Sequence, residues 1–172
     1  MEEQPSKPKL YIQPLGASHD RAAFSCGVPP LDKYLKIQAN QDMKKNLAAV
    51  YVLTPDGKTI AGYYALSAYS VRLDKIPQEI AQKLTRMPEV PATLVGRLAR
   101  SNAFRGQGVG EILLTDALKR SLANSKHVAS WTVMVDAKDA NAVAFYKKYG
   151  FMEIPATPNR LFLPMETIAR LP

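Results

Sequence analysis

The sequence predicts a mixed α/β fold, in which helices flank a single sheet. Three observations support this prediction. Apolar strand-like stretches alternate with amphipathic helical stretches, strand pairs separated by turns occur near both ends, and 172 residues suffice for one domain with a sizeable core. Apolar residues make up 47% of the chain and charged residues 22%, as in ordinary globular proteins. We therefore expect a single domain over residues 1–172.

The first third of the chain predicts a short strand and a basic helix. Residues 1–9 are a polar lead-in without a signal-peptide pattern, and residues 11–14 form the first candidate strand. Pro29 and Pro30 interrupt regular structure, and a helix is predicted from about Leu31. The basic residues of this predicted helix are Lys33, Lys36, Lys44 and Lys45. They fit either a solvated amphipathic helix or a surface that contacts RNA.

A hairpin is predicted in the next stretch. Residues 47–54 and 59–71 have strand-like composition and flank the turn Pro55-Asp-Gly-Lys58. Residues 73–91 are polar and interrupted by prolines, so we expect one short helix at residues 78–85 within a loop that could face a substrate.

The second half begins with a strand at residues 93–100 and a loop at residues 101–104. A glycine-rich turn follows, and then an amphipathic helix extends to about Leu122. A buried strand is predicted at residues 130–135.

The last part of the chain predicts one helix and two strands. Asp139 is a candidate N-cap for a helix over residues 140–149, and Gly150 is a typical helix stop. The final strands are predicted at residues 151–154 and 160–165, with a proline-containing link between them.

The glycine-rich turn Arg105-Gly-Gln-Gly-Val-Gly110 has the most specific chemistry. Glycines let a ligand approach the backbone and allow a positive φ, and the free N–H groups of the following helix carry the positive end of its dipole. This combination suits an anion, most naturally a phosphate, and a plain tight turn is the alternative. A P-loop is excluded because Glu111 and Ile112 follow the last glycine. The dinucleotide fingerprint is excluded because the glycines are spaced two and two.

Two segments together resemble the GNAT N-acetyltransferase superfamily. Arg105, Gly108 and Gly110 match its R-x-x-G-x-G coenzyme A loop. The segment Asn141-Ala-Val-Ala-Phe-Tyr-Lys-Lys-Tyr-Gly-Phe151 is similar to its later helix and strand, in the right order and at the right separation. The resemblance implies a mostly antiparallel sheet whose two central parallel strands splay apart. It also implies acetyl-CoA, wedged between those strands, as co-substrate, and no metal.

The resemblance further implies which residues bind and react. The turn would hold the pyrophosphate, and the strand before it would pair with the pantetheine arm. The candidate coenzyme-binding residues are Leu98, Ala99, Arg100, Arg105, Gly106, Gln107, Gly108, Val109, Gly110 and Asn141. Tyr146 is the candidate catalytic acid, because a phenol can hydrogen-bond to a leaving thiolate and protonate it. A packing role is the alternative for Tyr146, and Phe145 and Tyr149 fit the same description.

No Glu or His stands where these motifs would place a base beside the amine. This absence fits an acceptor that is already partly neutral. An α-amine has a reference pKa of about 7.7–8.0, whereas a lysine side chain has one of about 10.4.

A finer resemblance covers nearly the whole chain. Four further segments stand around the two motifs in an order that is similar to that of GNAT toxins of bacterial type II toxin–antitoxin pairs. They are Phe24-Ser-Cys-Gly-Val-Pro-Pro-Leu-Asp-Lys-Tyr-Leu35, Gly62-Tyr-Tyr-Ala-Leu-Ser67, Gly96-Arg-Leu-Ala99 and Arg160-Leu-Phe-Leu-Pro164. This similarity implies acetylation of the α-amine of aminoacyl-tRNA, which blocks translation. It also implies a ribbon-helix-helix antitoxin, through which the complex would bind operator DNA. A homodimer is common in the superfamily. A housekeeping GNAT enzyme acting on small or peptide amines is the alternative, followed by a catalytically silent coenzyme A- or RNA-binding module.

The charge and cysteine content agree with these expectations. The net charge of +8 is distributed, with 12 Lys and Arg against 8 Asp and Glu up to Arg86, and 11 against 7 beyond it. Such a distribution suits RNA, an acidic cofactor or an acidic protein partner. The single cysteine, Cys26, excludes an internal disulfide, and no apolar run reaches the ~18 residues of a membrane span. We therefore expect a cytoplasmic protein without a membrane partner.

Overall fold

The computed structural model describes residues 9–84 and 87–172. Apart from Lys9, the expected polar lead-in lies outside the described residues, and so does Thr85 at the end of the helix expected from residue 78. No helix formed within the described ranges combines the length and the apolar character that crossing a bilayer requires.

Within the described residues, seven strands form one mixed sheet in the order β1-β2-β3-β4-β5-β7-β6. The strands are β1 (Tyr11–Pro14), β2 (Ala49–Thr54), β3 (Gly62–Arg72), β4 (Glu89–Arg100), β5 (Thr132–Asp136), β6 (Met152–Glu153) and β7 (Arg160–Pro164). The β4–β5 pair is parallel, whereas β1–β2, β5–β7 and β6–β7 are antiparallel. The expected mixed α/β fold with a parallel pair at its centre is confirmed.

The helices are short except for the one that follows β4. They are α1 (Pro29–Lys33), α2 (Ala39–Lys44), α3 (Gln78–Ala81), α4 (Val109–Asn124), α5 (Ala140–Lys148) and α6 (Met165–Ile168). A π-helical turn (Tyr34–Gln38) joins α1 to α2, and 3-10 turns occur at Leu73–Lys75 and Asn102–Phe104.

The two central parallel strands pair over only part of their length. Ala92–Val95 of β4 lie beside Thr132–Val135 of β5, and the pairing ends there. β4 continues past Val95 to Arg100. The parallel pairing therefore involves only the Ala92–Val95 part of β4.

The chain divides into two compact units. The first contains the residues up to Tyr64 together with Leu98–Leu113, and the second contains Ala65–Arg97 and Leu114–Pro172. In the first unit the fully buried ring of Tyr63 packs 5.5 Å from Phe24 and 6.4 Å from Tyr34, measured between ring centroids. The core of the second unit includes Val71, Ile76, Val90, Ala92, Met134, Ile154 and Phe162.

Several element boundaries differ from the expected ones. The helix expected from about Leu31 begins earlier, at Pro29, because the first turn of a helix does not need the N–H that proline lacks. The helix expected at residues 78–85 ends as a regular helix at Ala81. The last strand ends before Met165, whose N–H donates to the Trp131 carbonyl at 2.8 Å and which opens α6. The predicted N-cap of α5 is correct, since Asp139 Oδ1 accepts from the Ala142 N–H at 2.8 Å.

Candidate functional site

The glycine-rich turn before α4 has a backbone conformation that favours glycine. Gly106 and Gly108 have φ angles of +74° and +70°, in the left-handed region where a side chain is strained. The space around Gly106 is open, because an added Cβ would meet no atom within 4 Å. Gly110, which was expected to belong to the turn, lies in the first turn of α4 instead. The backbone of the turn can therefore be approached closely by a ligand at Gly106.

Helix α4 begins with amides that have no acceptor within the helix. The Ile112 N–H donates to the Gly108 carbonyl at 3.1 Å, so the amides of Val109, Gly110 and Glu111 precede this helical bond. They carry the positive end of the helix dipole and directly follow the exposed turn. An anion such as a phosphate can bind at this position.

Close packing determines where α4 begins. A Cβ added to Gly62 on β3 would lie 2.8 Å from the Ala99 carbonyl oxygen and equally close to side-chain atoms of Val109 and Leu113. Real Cβ atoms essentially never show contacts this short, so only glycine permits this approach of β3, β4 and α4. Val109 is only 1% exposed and anchors the start of the helix in the core of the first unit.

Backbone hydrogen bonds also hold the segment before the turn. The Ser101 N–H donates to the Ala61 carbonyl and the Asn102 N–H to the Ser25 carbonyl, both at 2.8 Å. The exposed Arg105 side chain places Nη2 3.5 Å from Asn102 Oδ1. A guanidinium exposed beside free amides can pair with a phosphate.

Leu98, Ala99 and Arg100 form the end of β4, beyond its last pair with β5. Ala99 is 3% exposed, Leu98 is half-buried and Arg100 is exposed. Because the pairing with β5 stops at Val95, β5 does not use the backbone groups of these three residues. An extended ligand chain can add to this edge by main-chain hydrogen bonds.

The predicted site residues divide between the two units. Leu98–Gly110, including the exposed Gln107, lies in the first unit. Asn141 and Tyr146 lie on α5 in the second. Five positions along a helix turn by about 140°, so these two residues face different directions. Among the residues described, His, Cys, Asp and Glu side chains form no group that could hold a metal ion.

Tyr146 is a buried aromatic residue. The residue is only 4% exposed, and its ring contacts Phe145 and Phe151 edge-on, with centroid distances of 5.3 and 5.5 Å. Burial raises the pKa of Tyr146, and the negative charge of Asp136 raises that pKa further. The phenol therefore stays protonated at neutral pH and can donate a hydrogen bond.

Sequence reasoning did not identify a side-chain cluster at the end of β5. Arg160 bonds both Asp136 and Tyr69 there, although these partners are 24 and 91 residues away along the chain. A spacing of that kind leaves no local pattern, so the sequence contained no signal for the cluster.

Comparisons with known proteins extend over both units. The family model described as an acetyltransferase (GNAT) domain matches residues 84–167. The probable toxin TacT of Sinorhizobium fredii is 35% identical to this chain, and the alignment covers 95% of each protein. The tRNA-acetylating toxin of Mycobacterium tuberculosis is 32% identical over 86% of this chain and 87% of its own length.

Solved structures of similar fold include three assemblies. AtaT complexed with acetyl-methionyl-tRNAfMet has a TM-score of 0.87 and 26% identity, covering 94% of this chain and 98% of that one. AtaTR bound with AcCoA has a TM-score of 0.81 and 27% identity, over 93% and 96% of the two chains. The KacTA–DNA complex has a TM-score of 0.78 and 28% identity, over 94% and 96%.

Proposed function

This chain belongs to the GNAT acetyltransferase family, and from that membership we propose that it moves the acetyl group of acetyl-CoA to the α-amine of aminoacyl-tRNA. In the cell it acts in the cytoplasm as the translation-blocking toxin of a toxin–antitoxin pair. The observation that carries the enzymatic assignment is the exposed turn with positive-φ glycines directly before the free amides of α4. That arrangement suits the diphosphate of a coenzyme.

The residues from Leu98 to Gly110 bind the coenzyme in this proposal. Arg105 and the amides at the start of α4 hold the pyrophosphate, while the edge of β4 at residues 98–100, past its last pair with β5, holds the pantetheine arm by backbone hydrogen bonds. Acetyl-CoA supplies the activated acetyl thioester when bound. Asn141, exposed at the start of α5, is assigned a coenzyme contact and no chemical role.

Tyr146 is the proposed acid. Transfer forms a C–N bond and breaks the C–S bond; the amine nitrogen loses one proton to water, and the departing sulfur needs a hydrogen bond and finally a proton. Because burial keeps the phenol protonated, Tyr146 can donate that hydrogen bond. A raised pKa also makes complete ionisation of the phenol costly, which favours a hydrogen bond that tightens as charge develops on the sulfur.

The acceptor follows from the relatives and from the chemistry of the amine. The Mycobacterium tuberculosis relative is a tRNA-acetylating toxin, and AtaT is complexed with acetyl-methionyl-tRNAfMet. An α-amine is partly neutral near pH 7.5, with a reference pKa of about 7.7–8.0, and it therefore needs no strong base. The net charge of +8 favours association with RNA.

The proposed protein partner is an antitoxin of the ribbon-helix-helix class. The similar chains AtaT and KacT occur in the complexes AtaTR and KacTA, the latter with DNA. Contact of this chain with operator DNA would accordingly run through the antitoxin.

Transfer of labelled acetyl groups tests the acceptor. Purified protein is incubated with radiolabelled acetyl-CoA and either charged or deacylated tRNA, and label in the RNA fraction is counted. We expect label on charged tRNA only, released as N-acetyl amino acid when the ester is hydrolysed. Label on a polyamine or a protein N-terminus, with none on charged tRNA, would establish the housekeeping alternative. Coenzyme binding without transfer to any amine would establish the silent module.

A growth experiment tests the cellular role. Expression of this chain alone should arrest growth, and co-expression of the product of a neighbouring ribbon-helix-helix gene should restore it. If growth is unchanged although the protein is present at a level that acetylates tRNA in lysate, the protein is not a toxin. The enzymatic assignment would then remain.

A further inference from the structure

Arg160, the first residue of β7, links side chains from two other strands. Its Nε and Nη2 donate to the two carboxylate oxygens of Asp136 at 2.8 and 3.2 Å. Its Nη1 donates to the Tyr69 hydroxyl at 2.6 Å, and the guanidinium carbon lies 5.0 Å from the centroid of that ring. A guanidinium that bonds a carboxylate at two points fixes the orientation of the carboxylate as well as balancing its charge.

The cluster lies where the central parallel strands stop pairing. Val135 of β5 makes the last pair with β4, and Asp136 is the next residue. Asp136 stands directly opposite Arg160 in the antiparallel β5–β7 register. The ion pair therefore joins the end of β5 to β7, one residue past the last pair between β5 and β4.

Asp136 also lies near the start of the helix that carries the proposed acid. Only residues 137–139 separate the end of β5 from the start of α5. Side chains of a helix tilt toward its N-terminus, so we expect the Tyr146 side chain to lean toward that end of α5. The influence of the Asp136 charge on the titration of Tyr146 agrees with this placement.

We propose that Arg160 is a positioning residue for acetyl transfer, because it fixes and neutralises the Asp136 carboxylate beside Tyr146. Without Arg160 the carboxylate would oppose any negative charge that develops on the phenol oxygen or the sulfur. Tyr69 keeps the guanidinium in place from β3. The inference rests on the proposed role of Tyr146 as the acid.

A purely structural role does not account for the cluster. The Arg160 and Asp136 side chains are 26% and 40% exposed, and ion pairs exposed to this degree contribute little to stability. Their removal should therefore change turnover much more than the melting temperature.

Charge removal and charge compensation test this inference. In Arg160→Gln, we expect kcat on aminoacyl-tRNA to fall about tenfold, the scale on which one nearby charge shifts a proton equilibrium, while KM for acetyl-CoA stays unchanged. The double variant Arg160→Gln/Asp136→Asn should recover most of the lost kcat, and Arg160→Lys should retain most of it. Arg72→Gln is the matched control, because Arg72 bonds Asp74 at two points, at 3.1 and 2.7 Å, and should leave kcat unchanged.

Three results would overturn the inference. They are a normal kcat in Arg160→Gln, a double variant as slow as the single one, and a tenfold loss in Asp136→Asn alone. The last variant decides the question even if Arg160→Gln does not fold. Failure of the wild-type protein to acetylate charged tRNA would instead count against the proposed function itself.

Discussion

The hydroxyl of Tyr63 donates a 2.6 Å hydrogen bond to the carbonyl of Leu31 in α1. The same carbonyl accepts from the Tyr34 N–H. Both lone pairs of this oxygen are then used, immediately before the helix widens into its π-helical turn. At the end of that turn, the Ala39 N–H donates to the Tyr34 carbonyl five residues back. The buried tyrosine on β3 thus supports an irregular turn in a helix that is 32 residues away in sequence.

Tyr63→Phe should destabilise the first unit. The substitution keeps the ring contacts with Phe24 and Tyr34 but removes the donor to Leu31, and a buried hydrogen bond contributes about 0.5–1.5 kcal/mol. Urea unfolding should therefore show a lower midpoint at an unchanged slope. A midpoint equal to that of the wild type would mean that this hydrogen bond does not support the π-helical turn.

Tyr146→Phe should abolish most turnover and preserve the fold. Phenylalanine retains the edge-on contacts with Phe145 and Phe151, whereas the proton donor is lost. We expect kcat to fall by about 10²–10⁴, the usual contribution of general acid catalysis, with acetyl-CoA binding unchanged in calorimetry. Tyr149→Phe is the control, since it retains the ring that contacts Phe145 and should have near-normal kcat. Near-normal turnover in Tyr146→Phe would exclude the acid role.

Arg105→Gln should weaken coenzyme binding through the diphosphate alone. The side chain is exposed, so its loss should leave the melting temperature unchanged. We expect KM for acetyl-CoA to rise about tenfold, as for the loss of a charge-assisted hydrogen bond. S-acetylpantetheine, which has no diphosphate, provides the comparison, and its KM should be the same in both proteins. An equal rise for both thioesters would show that Arg105 acts elsewhere.

Asp56 should make stability depend on pH in the acid range. Its carboxylate accepts from the Thr59 and Lys58 amides at 2.7 and 2.9 Å, and the Thr59 bond is the main cause that lowers its pKa from 3.8 to about 2. A lowered pKa stabilises the folded state above pH 3.8, and this contribution is lost as the pH falls from 3.8 to about 2. Asp56→Asn should therefore be less stable than the wild type near pH 6 and equally stable near pH 2. A stability difference that does not change with pH would contradict the assignment.

Local signals in the sequence predicted the elements that depend on local contacts. Asp139 could be predicted as a cap because its partner, the Ala142 amide, is only three residues away. The turn before α4 could be predicted because its glycines and the start of the helix are contiguous in the chain. Gly110 was assigned to the turn, whereas the helix already starts at Val109, which packs tightly against Gly62.

Features that depend on distant residues were not predictable in this way. The π-helical turn depends on a tyrosine from β3, and the Arg160 cluster joins β3, β5 and β7. Both features depend on which strands and helices pack together, and a single sequence does not display that packing.

The discontinuous first unit has a consequence for synthesis on the ribosome. The first segment of this unit ends at Tyr64. The second segment, which contains the end of β4 and the start of α4, spans Leu98–Leu113 and is therefore synthesised later. A nascent chain that stops before Leu98 carries α1, α2 and β1 without the turn that would grip a diphosphate. Under the proposed function, coenzyme binding therefore becomes possible only after the ribosome has added Leu113.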